Sequence, residues 1–208
     1  MERNVIAIIG IHGSGKSRLA RKVTQELQPH LSIDHVPVGD RIRKIGRKLI
    51  ESSQYEAISD HLNGPHALNL LDDNVMYSVM NEALNDYRGS DTIIFDGFPR
   101  TEDQAEQLDM LALVHKRRLA GFIRTDTTDE NAVERMLLRN PRDYEGTYTV
   151  TAARKKVHED RAHYHDMALA LNFPALPLHT IDTSGEKEDT ITAGLRATKQ
   201  ILHLPDRL

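Results

Sequence analysis

The chain reads as an α/β protein, a doubly wound five-stranded parallel sheet in a single domain spanning residues 1–208. Two observations predict this. Five short, nearly continuous apolar runs recur along the chain, as suits strands buried on both faces. Longer segments with helical spacing separate them, and such alternation implies right-handed βαβ units.

The strands are expected at Val5–Ile9, His35–Val38, Thr92–Phe95, Leu119–Ile123 and Leu176–Ile181. A helix over Lys16–Leu27 follows the first strand. Val75, Val79 and Ala83 repeat every four residues, with Met76, Met80 and Leu84 beside them, predicting a second helix. Asp72 or Asp73 would cap its start, and Gly89 follows its end. Thr101-x-x-Gln104 opens a helix after the third strand. Ala132, Val133, Met136 and Leu137 form a stripe that Thr127-x-x-Glu130 would open as a capping box. Ile191, Leu195, Thr198, Ile201 and Leu202 line one face of a last helix. Two segments leave this rhythm: a largely helical insertion at 41–71, and a polar stretch around 140–148 that contains Pro141 and Gly146. Both read as excursions from the strand ends, where ligands bind in such sheets.

A charged fraction of 28% and a net charge of −4 describe an ordinary surface with no basic excess for nucleic acid. No apolar run approaches a membrane span, and no secretory signal pattern opens the sequence. Cysteine is absent, which excludes disulfides and thiolate metal sites. A cytoplasmic monomer is the expectation. His163 and His165 lie two apart, which does not put them on one helix face, so solvated histidines are favoured over a metal site.

Gly10-Ile11-His12-Gly13-Ser14-Gly15-Lys16-Ser17 fills every defined position of G-x-x-x-x-G-K-[ST], between a strand and a helix. The glycines let backbone N–H groups turn toward an anion without Cβ clashes. The helix N-terminus adds roughly half a positive charge there. Lys16 reaches β- and γ-phosphates, and the Ser17 hydroxyl suits Mg²⁺. Gly10, Gly13, Ser14, Gly15, Lys16 and Ser17 are therefore candidate contacts for a nucleoside triphosphate. Asp96, at the end of the third strand, is placed to orient Mg²⁺-bound water. Gly97 and Pro99 then make a tight turn that projects Arg100.

The phrase Asp96-Gly97-Phe98-Pro99-Arg100-Thr101-Glu102-Asp103-Gln104-Ala105 resembles the signature of the adenylate kinase family of nucleoside-monophosphate kinases. Gly39-Asp40-Arg41-Ile42-Arg43 is similar to that family's G-D-x-x-R. Glu134-Arg135-x-x-x-Arg139 is similar to the start of its lid, and Ile181–Gly185 resembles the loop bordering the ATP base. The resemblance implies a P-loop kinase with a helical acceptor-binding insertion at 41–71 and a short lid at 139–153. It further implies that Arg43 and Arg100 grip AMP phosphate, that Gln104 reads adenine, and that Arg135 packs against ATP. Arg139, Arg142 and Arg154 would converge on the transferring group, with Mg²⁺ as the cofactor of ATP. An arginine-lined site under a water-excluding lid is what phosphoryl transfer needs.

Blander readings stand beside these. Gln104 also completes the Thr101 capping box. Arg43 lies in a basic run (Arg41, Lys44, Arg47, Lys48) whose blander reading is a solvated helix face. Arg135 and Arg139 could pair with Glu134 and Asp143, and Arg154 sits among Lys155, Lys156 and Arg161. The sequence also departs from the family. His12 replaces a proline, Ser17 takes the place of a threonine one position later, and Val38 stands where a threonine commonly helps recognise adenine. Residues 60–71 and Asp143-Tyr144-Glu145 match the family's patterns only loosely. These departures widen the acceptor to another nucleoside monophosphate or small metabolite, and admit a regulatory module with little transfer activity.

Overall fold

The computed structural model describes residues 2–49, 73–138, 149–170 and 176–205. Five parallel strands form one sheet in the order β2-β3-β1-β4-β5. The strands are β1 (Asn4–Ile9), β2 (Ile33–Pro37), β3 (Thr92–Asp96), β4 (Arg118–Asp126) and β5 (Leu178–Asp182). The helices are α1 (Lys16–Leu27), α2 (Val38–Leu49), α3 (Asp73–Asp86), α4 (Glu102–Val114), α5 (Asp129–Leu137), α6 (Val150–Ala170) and α7 (Lys187–Ile201). Each of the five expected strands is present, with ends shifted by a few residues.

The two faces of β1 explain why its sequence is apolar from Val5 to Ile9. Val5, Ala7 and Ile9 pack into one core with side chains of α3, α4, α5 and α6. Ile6 and Ile8 pack into a second core with α1 and α7. Period-two side-chain alternation therefore sends each residue from Val5 to Ile9 into one apolar layer or the other. The Met76, Val79, Met80, Ala83 and Leu84 side chains of α3 are buried as their spacing predicts.

Three local readings differ from the structure. The cap of α5 is Thr128, whose side chain accepts from the Asn131 N–H, one residue beyond the expected Thr127. Thr127 Oγ1 instead faces Ser184 Oγ at 3.3 Å. Leu137, expected in the stripe of α5, is 38% exposed. The buried face of α7 runs through Gly194, Ala197, Thr198 and Ile201. Its centre is small because α7 lies close on α1: a Cβ on Gly194 would meet Leu19 Cδ1 at 2.4 Å. Thr198 and Ile201 are buried and Leu195 and Leu202 pack against the core as expected, whereas apolar periodicity passes over the glycine at the closest approach.

Arg41 ties α2 to α3 by pairing with Asp86 at 2.5 Å and stacking over the Tyr87 ring at 5.4 Å. This places one member of the basic run against a neighbour. Among the described residues, no helix is long and apolar enough to cross a membrane.

Candidate phosphate site

The segment from Gly10 to Lys16 wraps the C-terminal end of β1, and the adjoining strand ends close around it. Gly10, Gly13 and Gly15 have φ of 143°, 79° and 83°. Gly15 caps α1 in the left-handed conformation, with no side-chain cap and no acidic residue in the first turn. The first N–H groups of α1 therefore have no capping side chain, which leaves an anion site. Glycine at 10 and 13 is also a matter of space. A Cβ on Gly10 would lie 2.4 Å from Thr125 O, and one on Gly13 would lie 2.3 Å from Ala132 O.

Successive residues of the loop are fixed by different parts of the fold. Lys16 Nζ donates to Gly10 O and Ile11 O, each at 2.7 Å. The His12 N–H donates to Asp160 Oδ2 at 2.7 Å. Arg135 Nη1 reaches Gly13 O at 3.4 Å. Ser14 Oγ meets Thr125 Oγ1 at 2.7 Å, and Thr183 Oγ1 donates to Ser14 O at 2.8 Å. Arg135 also donates through Nη2 to Thr183 O at 2.6 Å, joining α5 to the loop after β5. Contacts from β4, the loop after β5, α5 and α6 together hold the loop through the chain's own hydrogen bonds, the kind of support that preorganisation needs.

The third strand supplies the opposite wall. Asp96 is 5% exposed at the end of β3, in register with Ile8 of β1. Its Oδ2 lies 3.4 Å from His35 Nε2. The Gly97 N–H donates to Ile8 O at 2.9 Å, which folds the following turn toward β1. A Cβ on Gly97 would be 4.0 Å from Lys16 Cε. Arg100 is anchored through its Nε to Gly97 O at 3.2 Å. Gln104 is buried: its N–H donates to Thr101 Oγ1 at 3.1 Å, and its Oε1 accepts from the Arg100 N–H at 2.9 Å. The capping box is thus half formed: Thr101 Oγ1 takes the Gln104 N–H, while the Gln104 side chain bonds the Arg100 N–H and not that of Thr101. The Ser17 hydroxyl, exposed in the first turn of α1, and the Asp96 carboxylate are oxygen donors of the kind a hard cation such as Mg²⁺ takes.

Helix α6 adds residues to the site that motif reading missed. His12 Nδ1 lies 2.5 Å from Asp160 Oδ2, and Lys156 Nζ lies 3.3 Å from Asp160 Oδ1. Burial lowers the His12 pKa to about 4, against the opposing pull of Asp160 and with the help of Arg100 and Lys16. Burial would raise the Asp160 pKa, but hydrogen bonds from the His12 ring and N–H hold the carboxyl well below its usual range. A neutral imidazole against a carboxylate must carry its proton on Nδ1. Tyr164 is buried one turn beyond Asp160, and burial pushes its phenol up to about 12. The signal for this helix was the spacing of Ala153, Val157, Asp160 and Tyr164, all buried on one stripe. Arg161 fastens the same helix by pairing with Asp126 at 3.1 Å and with Asp129.

Of the expected site residues, Gly10, Gly13, Ser14, Gly15, Lys16, Arg135, Asp96 and Arg100 are drawn together, with Ser17 and Gln104 bordering them. Arg154 is exposed on α6. Arg43 falls in α2, and its side chain lies outside the described residues. Arg139 and Arg142 also lie outside them, as do residues 50–71 of the expected insertion and 139–148 of the expected lid.

The fold and the loop define a P-loop nucleotide-binding protein. A family model described as "AAA domain" matches residues 9–150, and the chain belongs to that family. Among curated proteins, an adenylate kinase of Petrotoga mobilis is 32% identical over 132 residues, covering 63% of this chain and 55% of that protein. An adenylate kinase of Phocaeicola vulgatus is 26% identical over 134 residues, covering 64% and 66%. One from Thermus thermophilus is 29% identical over 144 residues, covering 64% of each. The chain thus spans 55% to 66% of the length of these relatives. The adenylate kinase resemblance drawn from the motifs stands.

Proposed function

We propose that this chain transfers the γ-phosphoryl group of Mg-ATP reversibly to AMP, giving two ADP. The observation that carries the reading is the convergence of Lys16, Arg100 and a preorganised phosphate loop on the ends of β1 and β3. The names of the relatives point the same way.

Phosphoryl transfer asks for positioning and charge neutralisation more than for a chemical nucleophile. The N–H groups from Gly13 to Ser17 and the start of α1 receive the β-phosphate. Lys16 exchanges the carbonyls of Gly10 and Ile11 for phosphate oxygens, gaining charge-assisted hydrogen bonds. Arg135, already bonded to Gly13 O and Thr183 O, borders the ATP base. Arg100, steered by its bond to Gly97 O, faces the acceptor phosphate together with Arg43. Arg139, Arg142 and Arg154 supply further positive charge as the lid closes. Mg²⁺, when bound with ATP near Ser17 and Asp96, offsets the negative charge of the phosphates. Exclusion of water by the lid protects ATP from hydrolysis.

A second reading keeps the phosphate donor and changes the acceptor. Val38 is 2% exposed and belongs to the core, so it offers no hydroxyl to a base, and the Gln104 carbonyl is already bonded to the Arg100 N–H. Both weaken a purely AMP-reading pocket.

Replacing Lys16 or Arg100 by alanine is expected to lower turnover at least ~10²-fold, the scale of losing one preorganised transition-state donor. Steady-state rates on folded variants measure this, and a Lys16→Ala enzyme of normal rate would sink the phosphate-loop assignment.

A further inference from the structure

The geometry points to Asp160 as a positioning residue of the phosphate site, holding the third residue of the loop through two hydrogen bonds to His12. The inference rests on the reading of Gly10–Ser17 as the ATP-phosphate site, and on no choice of acceptor.

His12 stands where the family resembled by this sequence carries a proline. Proline fixes φ and has no N–H, so it stiffens a turn without needing a partner. Histidine loses that stiffness and gains an N–H that must be satisfied once buried. Asp160 answers both changes. Its Oδ2 accepts from the His12 N–H at 2.7 Å and lies 2.5 Å from Nδ1, while Oδ1 faces Lys156 Nζ at 3.3 Å. One carboxylate, 148 residues away in sequence, thereby restrains both the backbone and the side chain of residue 12.

Those bonds sit between the two atoms that must move or stay when phosphate arrives. Ile11 O, on one side, is where Lys16 rests. Gly13 O, on the other, is where Arg135 reaches. Tyr164, one turn further along the same helix, is buried in the core that also holds Ile9 and Ile11. A carboxylate so close to a triphosphate would repel it. It is tolerable because its charge is engaged by His12 and Lys156, and it would become repulsive if His12 lost both donors. Helix α6 begins at Val150, inside the stretch 139–153 expected to form the lid, so the tie also joins that part of the chain to the loop.

The test is calorimetric binding of Mg-ATP to the full chain, well below each melting temperature, with KM for ATP and for the acceptor measured beside it. Asp160→Asn is expected to weaken ATP about tenfold, the size of a lost charge-assisted hydrogen bond, with KM for the acceptor unchanged. His12→Pro should weaken ATP further, because the buried Asp160 charge then faces the phosphates without His12. The double variant His12→Pro, Asp160→Asn should return to within about threefold of the parent, since proline now supplies the stiffness. Should Asp160→Asn fail to fold, His12→Asn against His12→Leu carries the same question. Asparagine keeps a donor near Nδ1 and leucine does not, so about a tenfold gap in ATP affinity is expected.

Parental ATP affinity in Asp160→Asn, or in its place equal affinities of His12→Asn and His12→Leu, would overturn the inference. Independent, additive effects of the His12→Pro and Asp160→Asn changes would do the same. So would a lowered melting temperature with unchanged ATP affinity, which marks a merely structural pair. A parent chain that binds no ATP would overturn this inference and the proposed function together. A parent that binds ATP without phosphorylating AMP would remove only the acceptor assignment.

Discussion

His12 shows how one residue in the loop couples chemistry to stability. Its pKa is about 4 in the folded chain against 6.5 unfolded, because burial and the nearby Arg100 and Lys16 disfavour the imidazolium. The folded value is the lower one, so between those limits the unfolded chain binds more protons and acid favours unfolding. The contribution is complete above about pH 6.5 and is lost as pH falls toward 4. Its full size is on the order of 3 to 4 kcal/mol, from ~1.4 kcal/mol per unit. Asp160, held below its usual carboxyl range, adds its own loss only in stronger acid. Denaturant titrations at pH 7 and pH 4.5 should show this fall in the parent and a smaller one in His12→Asn. Identical pH slopes in the two proteins would contradict the assignment, since all other titrating groups are shared. Nothing local in the sequence announced the pair. The His12 substitution was visible as a departure, but its partner lies on a helix whose approach to the loop only the fold reveals.

At the scale of elements, the strand-to-helix turn from β1 to α1 was the most legible part of the chain. Its glycines, lysine and serine are dictated by an anion site, and α1 begins at Lys16 as expected. What the motif did not disclose is why Gly13 has no freedom at all. It combines φ of 79° with a Cβ position 2.3 Å from Ala132 O and 2.8 Å from Ala132 Cα in α5. Backbone cannot step aside as a flexible side chain would. Gly13→Ala is therefore expected to cost at least ~2 kcal/mol, or to abolish folding, through combined clash and strained φ. Gly185→Ala, with nothing within 4 Å of the added methyl, should stay within about 0.5 kcal/mol of the parent. Thermal melts compare the two, and a Gly13→Ala chain as stable as Gly185→Ala would refute the packing of α5 on the loop. The caps of α4 and α5 illustrate the limit of local reading. Thr101 caps α4 where its spacing places it, whereas Thr127 and Thr128 are adjacent threonines with equal local claims. Contacts with Arg135 and Ser184 engage Thr127, and Thr128 becomes the cap.

For the whole molecule, the apolar strands were sufficient to specify a parallel sheet covered on both faces, because β1, β3 and β4 feed two separate cores. The strand order was not contained in those runs, since it depends on which crossovers pack. Sequence periodicity also left out close helix–helix contact through Gly194, where a missing side chain is the determinant. The candidate site divides in the same manner. Residues defined by a contiguous motif were legible, Thr183 in the loop after β5 among them, and residues contributed by distant elements outside any motif, such as Thr125, Asp160 and Tyr164, were not. The most direct test of the central claim is a panel of Mg-ATP with each nucleoside monophosphate in turn, reading all nucleotide products. The expected result is that AMP is consumed with two ADP formed per AMP. ADP formation with a different acceptor, or measurable ATP binding with transfer to none, would contradict it.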